Sequence, residues 1–168
     1  RAWMPMHWGS QFMNSPGVNA VACDAVDPYS QQPELKHAAV HIARVDLPYP
    51  LAIVRCCVSP REALAMMQKV RPRLVAFPYA TLGLYGRSGP LVVFRAAAEA
   101  AVDAALIAEL DCLFDMDGDD GAIVYEDARR GIAKKAIARD GKLAAVRLAG
   151  ETLAQGWRLY GSPSLAWD

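Results

Sequence analysis

The segment Leu47-Pro48-Tyr49-Pro50 divides this chain into two stretches written in different residue alphabets, and that break limits the fold more than any other feature. Each proline fixes its own φ and lacks an N–H donor, so the regular pattern on either side is interrupted here. Upstream, aromatics, methionines and the prolines Pro5, Pro16, Pro28 and Pro33 crowd together with few helix or strand signals. Such a segment reads as an ordered loop region, because its apolar content is too high for a solvated linker. Downstream, apolar runs alternate with caps and turns in the manner of a small α+β domain.

Composition removes several classes of function. At 168 residues, 54% hydrophobic and 21% charged, the chain can bury a sizeable core as one domain or two small ones. Lys plus Arg and Asp plus Glu are 18 each, so bulk charge gives no case for a nucleic-acid or anionic-membrane partner. The apolar run from Ala96 to Ile107 is interrupted by Glu99 and Asp103 and is too short to span a bilayer. Cys23, Cys56, Cys57 and Cys112 form no Cys-x-x-Cys pair, which argues against a zinc or iron–sulfur site within the chain. They read as reduced, partly buried thiols of a cytoplasmic protein.

The pattern predicts the elements in turn. Lys36 to Val45 alternates like a strand, with Ala38, Val40 and Ile42 on one face. Leu51 to Val58 reads as an apolar strand. Ser59-Pro60-Arg61-Glu62 then opens a helix to about Val70 that buries Leu64, Met67 and Val70, and Arg71-Pro72 stops it. Leu74–Tyr79 and Leu91–Phe94 are expected strands, and Ala96 to Leu113 an alanine-rich helix. Ala122–Glu126, Ile132–Ala138 and Lys142–Leu148 should form a β-meander, its last hairpin turning at Asp140-Gly141. A short helix from Glu151 to Trp157 and an irregular tail over 158–168 complete the reading.

Several motifs have an ordinary explanation. Asp115, Asp117, Asp119 and Glu126 stand at calcium-loop spacing, but Asp120 occupies the position that needs glycine and Glu126 lies in a strand-like run. A solvated acidic turn fits better. His37 and His41 are four apart, yet fall in an expected strand without a third ligand. Arg129-Arg130 and Lys134-Lys135 read as the solvent side of a hairpin. Gly83-x-x-Gly86-x-x-Gly89 opens no helix and is no dinucleotide fingerprint.

The stretch Trp3-Met4-Pro5-Met6-His7-Trp8 is different. It sets an imidazole among apolar walls, and with Asn19 (donor and acceptor) and Lys36 (a cation after a turn) it reads as a loop wrapping a large polar ligand. These residues, with Asp27-Pro28 and Gln32-Pro33-Glu34-Leu35-Lys36, resemble the C-terminal domain of molybdopterin oxidoreductases, with wording closest to assimilatory nitrate reductase catalytic subunits. A second stretch, Tyr125-Glu126-Asp127, Arg130-Gly131, Asp140 to Leu143 and Leu148-Ala149-Gly150, is similar to the extension that follows that domain. A related pattern closes some flavin-dependent nitrite and ferredoxin reductases.

The resemblance implies a fold and a role. Residues 1–46 would be the end of a molybdopterin dinucleotide-binding domain, a partial double-psi β-barrel, and 51–157 an appended α+β domain with a β-meander. Asn19 and Lys36 would contact the pterin dinucleotide with His7 and Trp8 beside them, and Met6 would line the substrate funnel. The implied cofactor is Mo-bis(molybdopterin guanine dinucleotide), which reduces nitrate to nitrite in nitrate assimilation, with an iron–sulfur cluster ligated elsewhere in the parent enzyme. The implied partners are the remainder of the reductase large subunit and an electron-donor protein. The chain alone is not expected to be catalytic. Two other readings stand beside this one, a non-catalytic α+β interaction module and the tail of a flavin- or NAD-linked reductase.

Overall fold

A computed structural model describes residues 12–14, 26–32, 41–86, 89–118 and 121–150. Expectations for the helix at 151–157, for the tail and for most of the partial barrel fall outside them. Six antiparallel strands form one open sheet, with two helices packed on one of its faces. Along the chain they are β1 (Tyr49–Cys56), α1 (Pro60–Val70), β2 (Tyr79–Tyr85), β3 (Leu91–Ala98), α2 (Ala104–Leu113), β4 (Ala122–Asp127), β5 (Ile132–Arg139) and β6 (Lys142–Ala149). The spatial order is β2-β3-β1-β6-β5-β4, so β1 lies between the β2–β3 hairpin and the β4–β6 meander. The described sheet does not close into a barrel.

β1 begins inside the proline break. Pro50 is its second residue, where a missing N–H is tolerated, and its carbonyl still accepts from Gly150 N at 3.1 Å. The described part of the expected Lys36–Val45 strand, residues 41–45, is not a strand, and Ile42 and Val45 are exposed.

α1 follows its local signals. Ser59 Oγ accepts from Glu62 N at 3.2 Å, Pro60 opens the first turn, and Glu62 Oε2 accepts from Val58 N at 2.7 Å. The buried stripe is Ala63, Met66, Met67 and Val70, the i, i+3, i+4, i+7 set. Leu64 lies off that stripe and is 52% exposed, contrary to expectation. Beyond it, Arg71–Ala76 tightens into a 3-10 turn in place of the expected strand at Leu74–Tyr79. Three residues per turn bring Leu74 and Phe77 to the same side, both buried, while Val75 faces water.

The alanine-rich run is also divided. Ala96–Ala98 finish β3, paired with β1 through Ala96↔Leu51 and Ala98↔Tyr49, and α2 starts only at Ala104. Ladder pairing overrides helix propensity here, and Asp103 supplies the cap, accepting from Ala105 N at 2.6 Å.

Leu51, Ile53, Leu82, Val92, Phe94 and Ala145 point from the sheet into the core beneath the helices. Phe94 sits at its centre, 5.6 Å from the Phe77 ring and 6.3 Å from that of Phe114. The β5–β6 hairpin turns at Asp140 and Gly141, whose φ values of 52° and 73° suit a tight two-residue loop. Between β2 and β3, Gly86 takes φ of 102°, where an added Cβ would lie 1.8 Å from the Gly89 carbonyl oxygen. Gly86 and Gly89 therefore belong to the β2–β3 hairpin loop, while Gly83 lies within β2 opposite Val93. No helix among the described residues is long and apolar enough to cross a membrane.

Candidate functional site

Met6, His7, Trp8, Asn19 and Lys36 all lie outside the described residues. The structure does describe two pieces of the same N-terminal region, and each is tied down by specific bonds. Phe12–Asn14 adds to the free edge of β2, with Met13 bridging Thr81 in antiparallel sense. Leu82 N donates to Phe12 O at 2.6 Å and Asn14 N to Ala80 O at 3.2 Å. The Asn14 side chain extends the ladder: its Nδ2 donates to Phe77 O at 2.5 Å and its Oδ1 accepts from Ala80 N at 3.2 Å. An amide that both donates and accepts can stand in for a peptide group. Sequence reading passed over Asn14, because nothing local names the strand it meets.

The second piece is a turn at Asp27. Its Oδ1 accepts from Tyr29 N at 2.7 Å and Ser30 N at 2.8 Å, while Asp27 N donates to Gln32 O at 2.9 Å. These bonds favour the ionised form, so the backbone donors of Ser30 and then Tyr29 hold the Asp27 carboxyl below its ordinary value. The expected Asp-Pro turn is thus present, with Tyr29 and Gln31 displayed outside it.

A second group of polar side chains has no counterpart in the sequence reading. Asp111, in the last turn of α2, touches Arg147 of β6 through Oδ2 and Nη1. Lys135 of β5 lies 3.8 Å from the same oxygen, and Glu126 of β4 lies 3.6 Å from Arg147 Nη2. The sheet register makes this possible, because Arg147 and Lys135 face each other across β5–β6. Arg147 is only 2% exposed, and its Nε, like Asp111 Oδ1, makes no hydrogen bond among the described residues. Burial pushes the Asp111 carboxyl up, opposed chiefly by Arg147 and then by Lys135. Lys135 was expected on a solvent face; it is buried because its alternation in β5 turns it toward α2. The group ties the end of α2 to the meander.

The remaining candidates are quickly placed. Glu126 is in β4, opposite Ala133, and Asp119 and Asp120 lie outside the described residues. His41 is exposed and outside any strand. Arg129 and Arg130 sit in a 3-10 turn whose backbone donates to Asp127 Oδ1 at 3.1 and 3.3 Å. Cys57 is buried, whereas Cys56 and Cys112 are exposed, and all three are free thiols. Burial pushes both the Cys56 and Cys57 thiols up, away from the thiolate that a nucleophile needs. A shallow hollow beside Cys56, lined by Val54, Leu91 and Leu143–Val146, has a volume of about 30 Å³, room for one water. Among the described residues no three His, Cys, Asp or Glu side chains gather as a metal site.

The geometry defines a class and goes no further: an open antiparallel α+β sheet with an N-terminal segment bridged to one edge at Met13. Compared with protein families, with curated proteins and with solved structures, the chain matches none of them.

Proposed function

We propose that this chain is the C-terminal portion of a bis(molybdopterin guanine dinucleotide) oxidoreductase of nitrate reductase type, in which residues 1–46 form one wall of the cofactor site and the α+β sheet is an appended domain. The observation that carries this reading is the residue sequence from Trp3 to Lys36, which crowds aromatics, methionines, an imidazole, an amide and a lysine into one region. The turn at Asp27 and the anchoring of Phe12–Asn14 on β2 support it. They are the kind of fixed points from which a loop can present side chains to a ligand with little ordering cost.

In this proposal Asn19 and Lys36 hold the pterin dinucleotide, Asn19 by paired donor and acceptor and Lys36 by charge on a phosphate. His7 and Trp8 flank it, and Met6 borders the funnel. The barrel segment proposed for residues 1–46 would be completed by the rest of the large subunit. The molybdenum centre, when bound, supplies oxygen-atom transfer from nitrate; this chain positions the cofactor. An electron-donor protein and a cytoplasmic setting belong to the same proposal.

The test uses the enzyme expressed from its complete reading frame. Asn19→Ala and Lys36→Ala should each lower the molybdenum content of the purified protein, with nitrate reduction falling in proportion. Full molybdenum loading and full activity in both variants would refute the assignment.

A further inference from the structure

We propose that the free edge of β4 joins two copies of this chain, β4 of one pairing antiparallel with β4 of the other about a two-fold axis at Val124. β4 ends the sheet, and among the described residues it pairs only with β5. Three consecutive apolar side chains on it remain in water: Ile123 is 73% exposed, Val124 51% and Tyr125 53%. The charges on it, Glu126 and Asp127, lie together at its C-terminal end. Ala122–Asp127 contains no proline and no lysine, and the register irregularity of this sheet lies in β5, between Ile137 and Ala138. The opposite edge, by contrast, is joined by Phe12–Asn14.

The order of residues in β4 selects a second copy as the occupant. Pairing about Val124 sets Ile123 against Tyr125 of the partner, Val124 against its own counterpart, and Ala122 against Glu126. Every exposed apolar side chain then meets an apolar one, and neither Glu126 nor Asp127 faces a like charge. Moving the axis to Tyr125 would set Val124 against Glu126 and Ile123 against Asp127. Moving it to Glu126 would bring two glutamates face to face. Of these three registers, the one about Val124 alone satisfies both the apolar and the charge pattern, and it gives the self-complementary patch that a two-fold interface requires. Lys134, 6.0 Å from the Tyr125 ring, flanks the seam on the same face as Ile123.

Sedimentation of the 168-residue chain over a concentration series reads this directly. The wild type should show a monomer–dimer equilibrium. Val124→Lys places two cations opposite each other at the axis and should weaken association at least about tenfold, the scale of a like-charge juxtaposition. I123K and Y125E should each weaken it, while the double variant I123K/Y125E should restore a dimer that is now salt-sensitive, since residues 123 and 125 face each other across the axis. Unchanged circular dichroism establishes that each variant is folded, as expected for positions more than half exposed. A wild type that is monomeric throughout, a dimer indifferent to V124K, or a double variant no better than either single one would overturn the proposal. So would capture of an unrelated extended peptide by β4 of a monomeric wild type.

Discussion

Asn14 extends a sheet with a side chain, and its two bonds are reached across 63 and 66 residues of sequence. Asn14→Ala should cost about 1–3 kcal/mol, because it leaves the Ala80 N–H and the Phe77 carbonyl without their partners. Amide exchange at Ala80 should accelerate in that variant; unchanged exchange would show that the edge is held by other contacts. Asp27 makes a different prediction. Its carboxyl is held low, so the stabilisation of its turn is present above the ordinary aspartate value and is lost as pH falls through the depressed one. A carboxyl titration by NMR should place its midpoint below that of an unstructured aspartate, with the Tyr29 and Ser30 amides shifting at the same pH. The Asp111 group inverts this sign. Arg147→Met strands a buried carboxylate and should cost about 3–5 kcal/mol near neutrality. That cost should shrink on acidification as Asp111 takes up a proton, and urea unfolding at several pH values measures it. A cost independent of pH would contradict the assignment of Arg147 as its main partner.

Elements whose ends are fixed by local chemistry could be read from the sequence. Ser59, Pro60 and Glu62 set the start of α1, and Asp140-Gly141 set the β5–β6 hairpin, because each acts on atoms a few residues away. Elements decided by distant neighbours could not. Ala96–Ala98 carry helix propensity, yet β1 and β2 hold them in a ladder. Leu74 and Phe77 resemble strand residues, yet Pro72 and a shared pocket fold them into a 3-10 turn. In α1 the expected burial of Met67 and Val70 is found, while Leu64 is exposed because Ala63 and Met66 complete the stripe. Leu64→Ala should change stability by less than about 0.5 kcal/mol, whereas Met67→Ala should cost about 2–5 kcal/mol. Equal effects would place the buried stripe wrongly. The Asp111–Arg147 contact, spanning 36 residues, was hidden for the same reason as the ladder, since neither residue type nor spacing announces it.

For the molecule as a whole, the α+β architecture followed from the alternation of apolar runs with caps and turns. Its strand order did not follow, because β1 must be reached from both sides by segments far along the chain. The proposed ligand wall rests on the wording of Trp3 to Lys36 alone, since Met6, His7, Trp8, Asn19 and Lys36 lie outside the described residues. Its central claim, that this wall recognises a pterin guanine dinucleotide, is tested most directly by thermal melting of the 168-residue chain with extracted molybdenum cofactor. A ligand that binds the native state must raise the melting temperature. A concentration-dependent rise that is lost in Asn19→Ala and Lys36→Ala is the predicted result. No rise at high ligand excess, or a rise that both variants retain, would contradict it.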